Sequence, residues 1–308
     1  MSCMVGLSSE WRTTVNSGYQ YCSQVEECWA GRQLLDYLAS KFPHSSRRCW
    51  EDRINRGEVR IDDQEMEACR PVKAGSSVVW SRPPWIEAAT PQDFAVLYED
   101  EDCLAVQKPS GLPTIPGGGF LDNTLLSFVR RNYRGATPVH RLGRATSGIV
   151  LFALNSYARS RLSAQWPTIR KSYRALADGV ARNSFYEITT RIGPIKHPRL
   201  GSIYGAAADG KRSKSLATAV EIRDDATLFE VDLLTGRPHQ IRIHLASMGM
   251  PLVGDPVYAA FGGLKDNAGL PGDSGYHLHA HRLRFLSPTA GKSIQLACFP
   301  PEELLVQA

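Results

Sequence analysis

The segment at 140–148 reads His-Arg-Leu-Gly-Arg-Ala-Thr-Ser-Gly and runs without a break into the apolar residues 149–154, Ile-Val-Leu-Phe-Ala-Leu. A polar loop with two glycines needs water or fixed partners for its backbone groups, whereas the run behind it must be buried. The stretch therefore marks the rim of a sheet, where a loop side chain is held on a rigid strand. The rest of the chain has to be arranged around that strand.

On either side of it the pattern mixes strands with short helices. Residues 94–98 and 103–107 alternate as two strands of a hairpin across the acidic turn 99–102, and a Pro- and Gly-punctuated loop, Lys108-Pro109-Ser110-Gly111, follows. Residues 124–134 and 156–166 are helix-like, and 171–177 and 228–234 are strand-like. Residues 236–246 predict a helix with Pro238 near its first position and Gly249 at its stop. Strands outnumber helices, so this part is α+β with a largely antiparallel sheet.

A smaller module precedes it. Leu34, Leu35, Leu38 and Phe42 fall at helical spacing, Ser45-Ser46 supplies an N-cap, and residues 47–56 form a second, basic helix. Strands follow at 58–62 and 76–80, with a turn at Asp62-Asp63. Residues 1–28 show little periodicity and are expected to be a tail or loosely packed extension. The expected division is thus a tail at 1–28, a module at 29–86 and a large domain at 87–308.

Charge narrows the class of partner. The net charge is +5, and six basic residues between Arg191 and Lys214 face one acid, Asp209, which suits an anionic ligand. Seven cysteines without a Cys-x-x-Cys pair argue against a disulfide framework and a zinc knuckle. With no secretory signal and no apolar run long enough to span a membrane, the expectation is a cytoplasmic protein without a membrane partner.

The signature loop closely resembles that of the RluA-type RNA pseudouridine synthases, which reads His-Arg-Leu-Asp, one or two variable residues, then Thr-Ser-Gly. Further segments agree in order: Lys-Pro-x-Gly at 108–111, Lys-x-Tyr at 171–173, Gly-Arg-x-His-Gln-Ile-Arg-x-His at 236–244, Gly254-Asp255-x-x-Tyr258 and Leu278-His279-Ala280. The resemblance implies the pseudouridine synthase fold, a mixed, mainly antiparallel curved sheet with flanking helices. It also implies isomerisation of uridine to pseudouridine in ribosomal or transfer RNA, with no metal or organic cofactor, and a monomer is expected. Tyr173 would stack on the uracil, and Arg242 would pair with the catalytic carboxylate. In the family that carboxylate belongs to the aspartate whose place Gly143 takes here.

The loss bears on the chemistry, because glycine cannot attack, abstract a proton or pair with Arg242. A guanidinium left without its partner could hold an anion or another carboxylate, and Asp255 and Asp122 are the candidates. Alternatively, Arg242 caps a buried Asp255. RNA contacts are expected from Arg141, Arg144, Arg237 and His239. The small module resembles the S-four RNA-binding module, whose basic helix would meet phosphates through Arg47, Arg48, Arg53 and Arg56. Against this stand a solvated helix face paired to Glu51 and Asp52, and a packing role for Tyr173. Two other functions compete with the synthase: an RNA binder on the same fold that does not isomerise, favoured by Gly143, and a metal enzyme built on His277, His279 and His281. The last is weaker, since alternating histidines without carboxylates read as a polar strand face.

Overall fold

The computed structural model describes residues 10–307, which divide into two compact units, Thr14–Glu87 and a larger one of residues 10–13 with 88–307. Strands β1 (Trp11–Val15) and β6 (Ile86–Pro91) each run through a boundary of that division.

In the smaller unit β2 (Tyr19–Gln24) precedes α1 (Leu34–Lys41), α2 (Arg47–Asn55), β3 (Val59–Ile61), β4 (Gln64–Glu65) and β5 (Ser77–Arg82). Its sheet has the order β2-β5-β3-β4, covered by the two helices over Leu34, Leu38, Trp50, Ile54, Val59 and Trp80. Ser46 caps α2, its side chain accepting from the Cys49 amide at 3.3 Å. Residues 10–28 are not a loose extension. β2 pairs with β5 along its whole length, and Val25 lies in the core. The strand escaped detection because Tyr19, Tyr21 and Cys22 stay exposed on a two-sided polar ribbon. The part of the expected tail at 1–9 lies outside the described residues.

The larger unit continues with β7 (Ala95–Glu99), β8 (Cys103–Lys108), α3 (Leu125–Asn132), β9 (Thr137–Pro138), β10 (Ser147–Ala153), α4 (Ser156–Gln165) and β11 (Arg170–Asp178). Then come β12 (Phe185–Ile188), β13 (Ile192–His197), β14 (Gly201–Ala206), β15 (Ser215–Ile222), β16 (Ala226–Leu233), α5 (Gln240–Ser247), β17 (Leu278–Leu286) and β18 (Ser293–Ala297). Its main sheet runs β12-β15-β16-β11-β17-β10-β8-β7, with β18 on β17 and β9 on β10. β10 and β17 pair in parallel, and the other pairings are antiparallel. The fold is the mixed, mainly antiparallel α+β architecture that the sequence predicts. β13 and β14 form a separate hairpin.

The parallel pair decides where the site lies. Ser147 is in register with His279 and Gly148 with Ala280, so β10 and β17 begin at the same end of the sheet. The loops that precede them, at 140–146 and 266–277, therefore emerge side by side. Gly148 makes the approach feasible: its φ is +108°, and a Cβ there would lie 2.3 Å from the Ala280 carbonyl oxygen. The same row continues to Lys108 on one side and Tyr173 on the other, across four strands.

Helix α5 starts later than the sequence predicts. Pro238 lies outside it, and His239 is the N-cap in the left-handed region at φ 55°. Gln240 in the first turn explains the shift. Its Oε1 accepts from Thr235 Oγ1 at 2.8 Å and the Arg237 amide at 2.9 Å, holding 235–237 as a turn. Gly249 at φ 87° ends the helix as expected. No helix among the described residues is long and apolar enough to cross a membrane.

Candidate active site

The signature loop is clamped from the segment at 108–114. Thr114 Oγ1 donates to the Leu142 carbonyl at 2.9 Å and accepts from its amide at 3.1 Å. The Arg144 carbonyl accepts from the Gly111 amide at 2.8 Å and from Lys108 Nζ at 3.1 Å, and the Ala145 carbonyl from Ser110 Oγ at 2.7 Å. Lys108 is fully buried, and Nζ also donates to Pro109 O at 2.8 Å and Leu112 O at 2.7 Å. Three carbonyl acceptors use all three ammonium donors, so the lysine is a tie between two loops. At the loop's start, His140 stacks on Trp166 with ring centroids 4.4 Å apart, and its Nε2 accepts from the Leu151 amide at 3.1 Å. Burial pushes the imidazole down to about 3, which keeps it a neutral acceptor.

Gly143 is exposed at the tip of this loop. Beside it lies Tyr276, from the loop before β17: a Cβ on residue 143 would stand 2.8 Å from Tyr276 Oη and 3.5 Å from Thr146 Oγ1. The two hydroxyls are 3.2 Å apart. Gly143 has an ordinary backbone conformation, so it is this hydroxyl, not chain geometry, that a side chain at 143 would meet.

Arg242 is not left without a carboxylate. Nε and Nη2 donate to Asp255 Oδ2 at 2.7 Å and Oδ1 at 2.8 Å, and Nη1 to the Pro271 carbonyl at 3.0 Å. The pair is almost wholly buried, with side chains 2% and 0% exposed. The guanidinium carbon lies 4.3 Å from the Tyr276 ring centroid and 5.0 Å from that of Tyr258. The idea that its pocket awaits an anion is corrected: Asp255 fills it. Asp255 also accepts from the amides of Val257 at 2.8 Å and Tyr258 at 3.1 Å, so this fully buried carboxylate is held as the guanidinium's partner.

Tyr173 lies 9% exposed in the core cluster that also holds Leu142, Ile241 and Tyr276. Burial pushes its phenol up to about 12, so it is neutral at physiological pH. His239 is half-buried, and Tyr258 Oη lies 2.7 Å from its Nδ1. Burial first, then the Arg242 charge, lowers its imidazole to about 4. Around the site, Arg141 is exposed, Arg144 Nε donates to the Gly272 carbonyl at 2.8 Å, and Arg237 Nε donates to the Arg212 carbonyl at 3.2 Å.

The larger unit thus brings Gly143, Arg242, Arg144 and His239 into one network. The sequence reasoning missed Tyr276, Thr114 and Gln240. Gln240 stood inside the matching motif, which was a signal for it; Tyr276 sits in a loop with no pattern of its own.

The histidine trio does not assemble a metal centre. His279 Nε2 and His281 Nδ1 both turn to the Cys298 carbonyl, at 3.2 and 2.8 Å, while His279 Nδ1 lies 2.8 Å from Ser147 Oγ. No cluster of three metal-ligating side chains occurs among the described residues.

Residues 102–247 match the family model described as RNA pseudouridylate synthase. An uncharacterized RNA pseudouridine synthase of Synechocystis is 38% identical over 278 residues, covering 88% of this chain and 95% of the relative. The chain belongs to the RNA pseudouridine synthase family. RNA pseudouridine synthase 5 of Arabidopsis thaliana is 37% identical over 76% of the chain and 79% of its own length. The ribosomal large subunit pseudouridine synthase D of Xanthomonas campestris is 32% identical over 91% of the chain and 89% of its own length. Among solved structures, human RNA pseudouridylate synthase domain containing 1 superposes with a TM-score of 0.54 at 25% identity, covering 68% of this chain and 84% of that one. The RluA-type resemblance in the sequence is thereby borne out, and the activity of the family is that of an isomerase.

In the smaller unit the basic helix is less free than expected. Arg47 pairs with Asp36, and Arg56 with Glu58 at 2.7 Å, rather than with Glu51 and Asp52 as in the alternative of a solvated helix face. Arg53 lies against the rings of Trp50 and Trp80, at 4.5 and 4.0 Å, and donates to Ser45 Oγ at 2.9 Å. Its charge is tied to the core edge. Arg48 remains exposed.

Proposed function

We propose that this synthase isomerises a uridine of ribosomal or transfer RNA, with the target nucleotide turned out of its stack onto the exposed loop at Gly143, which is backed by the buried Tyr173 and Arg242. The observation that carries the reading is the network under residue 143. Arg242 is fixed between two tyrosine rings by Asp255, and the Tyr276 hydroxyl takes the space beside the glycine. Residue 143 offers no atom to the ribose, so the acid–base step falls to Tyr276 Oη, held by Thr146 at 3.2 Å. Asp122 and Asp255 are not assigned that role; Asp255 positions Arg242.

The smaller unit would add phosphate contacts through Arg48, with Arg47 and Arg56 released from their exposed ion pairs. Six described cysteines are unpaired, which fits a reducing cytoplasm, and the protein is proposed to act as a monomer. A binder that does not isomerise gains no support from relatives named as synthases.

The test is a pseudouridine assay on unmodified ribosomal and transfer RNA with the parent protein and Tyr276→Phe. Product from the parent and a rate lower by on the order of 10²-fold in the variant are expected. An undiminished variant removes the hydroxyl from the chemistry. A parent inactive on both RNA classes refutes the assignment.

A further inference from the structure

Beyond the network at residue 143, four chain segments wall two neighbouring cavities. One cavity, of about 320 Å³, is lined by Thr189, Arg191, Arg212, Ser213, Lys214 and Thr235. The other, of about 300 Å³, is lined by the adjoining residues of three of these segments, among them Pro194, Lys211, Gly236 and Arg237 with Asp209 as its acid, and by Tyr204 from β14. The first holds three cations and no carboxylate in its wall. Arg212 is exposed, and its guanidinium has no hydrogen-bond or ion-pair partner among the described residues. Arg191 spends one donor on the Gly210 carbonyl at 3.1 Å, and Lys214 pairs with half-exposed Glu187 at 2.7 Å.

These walls are built, not loose. Gly210 packs against the backbone of β13 so closely that a Cβ would lie 2.5 Å from the Ile192 carbonyl carbon. Ser213 Oγ is 2.9 Å from His244 Nε2, and the Thr235 hydroxyl accepts from the Lys214 amide at 2.9 Å. Gln240 Nε2 donates to Lys214 O at 3.0 Å and Ser215 Oγ at 2.9 Å, which links the cavity wall to the helix that carries Arg242. The hydroxyls thus hold the frame, Arg212 is left for a ligand, and Arg191 and Lys214 keep donors beyond their single partners. Tyr204, 46% exposed, offers a ring to the second cavity.

We propose that the two cavities form one subsite for a single-stranded nucleotide flanking the target, its phosphate on Arg191, Arg212 and Lys214 and its base against Tyr204. The subsite rests on the RNA substrate proposed above. Cations without hydroxyl donors to spare suit a backbone phosphate, and an exposed ring suits a base of any identity.

The experiment measures binding of the full chain to in-vitro-transcribed, unmodified ribosomal RNA as salt is raised. Arg212→Ala, which breaks no internal contact, is expected to weaken binding several-fold and to lower the slope of log affinity against log salt by about 0.7–0.9. Tyr204→Ala is expected to weaken binding about fivefold or more without changing that slope. Glu187→Gln frees Lys214 and is expected to strengthen binding roughly twofold. A purely structural role for these residues predicts no such gain. If the parent binds RNA and either alanine variant matches it, the subsite is overturned and the proposed function stands. If the parent binds none of these RNAs, the proposed function fails and the subsite falls with it.

Discussion

The Tyr276 hydroxyl lies 2.8 Å from where a Cβ on residue 143 would stand, so the glycine and the tyrosine occupy one volume between them. An aspartate at 143 needs that hydroxyl to move. Gly143→Asp alone is expected to cost about 1–3 kcal/mol of stability through overpacking. Gly143→Asp with Tyr276→Phe should recover part of that loss, giving a favourable coupling in a double-mutant cycle read by urea unfolding. Additive losses would show that the two positions do not share space.

The Arg242–Asp255 pair is bidentate and buried, so removing one charge strands the other. Asp255→Asn is expected to destabilise the protein by about 3–5 kcal/mol. Arg242→Lys should cost less than Asp255→Asn, because it keeps the charge and loses only the forked geometry. Equal, small losses in thermal melts would contradict the burial of this pair.

Lys108 ties three carbonyls that no other side chain reaches in its place. Lys108→Met leaves the Pro109 and Leu112 carbonyls without this donor, the buried Leu112 acceptor costing about 1–3 kcal/mol, while the Arg144 carbonyl keeps the Gly111 amide. The loop at 142–146 should then exchange its amide hydrogens faster, while the smaller unit is unaffected. Unchanged exchange at these amides would remove the clamp from the account.

Burial holds His244 and His279 neutral, each pushed down to about 4 from the usual 6.5. Between those values the unfolded chain binds more protons than the native one, so stability rises with pH across this window and falls as acid is added. The unfolding free energy from urea titrations is expected to drop between pH 6.5 and 4.5, by on the order of a few kcal/mol in total for the two groups. In His279→Gln the drop should be shallower; a slope equal to the parent's would mean that His279 titrates normally.

Local pattern determined much of this protein. Helix α2 with its Ser46 cap, the hairpin of β7 and β8, and the apolar strand behind the 140–148 loop were legible because each depends on neighbours a few residues apart. The motifs that carry the family were legible for the same reason: they are contiguous. Strand β2 was not, since its pairing with β5 crosses more than fifty residues and its side chains face water on both sides. Nor was the start of α5, which depends on Gln240 reaching back to Thr235 and across to Lys214.

The state of the site was decided by tertiary structure alone. The sequence states that residue 143 has no side chain, but not what stands in its place. The parallel pairing of β10 with β17 brings the loop of Tyr276 to the loop of Gly143, across 133 positions of chain (276 less 143). The fold of the loop after α5 delivers Asp255 to Arg242. Both contacts join segments whose separation no periodicity encodes, and both follow from where strands lie in a sheet, which only the packed core fixes.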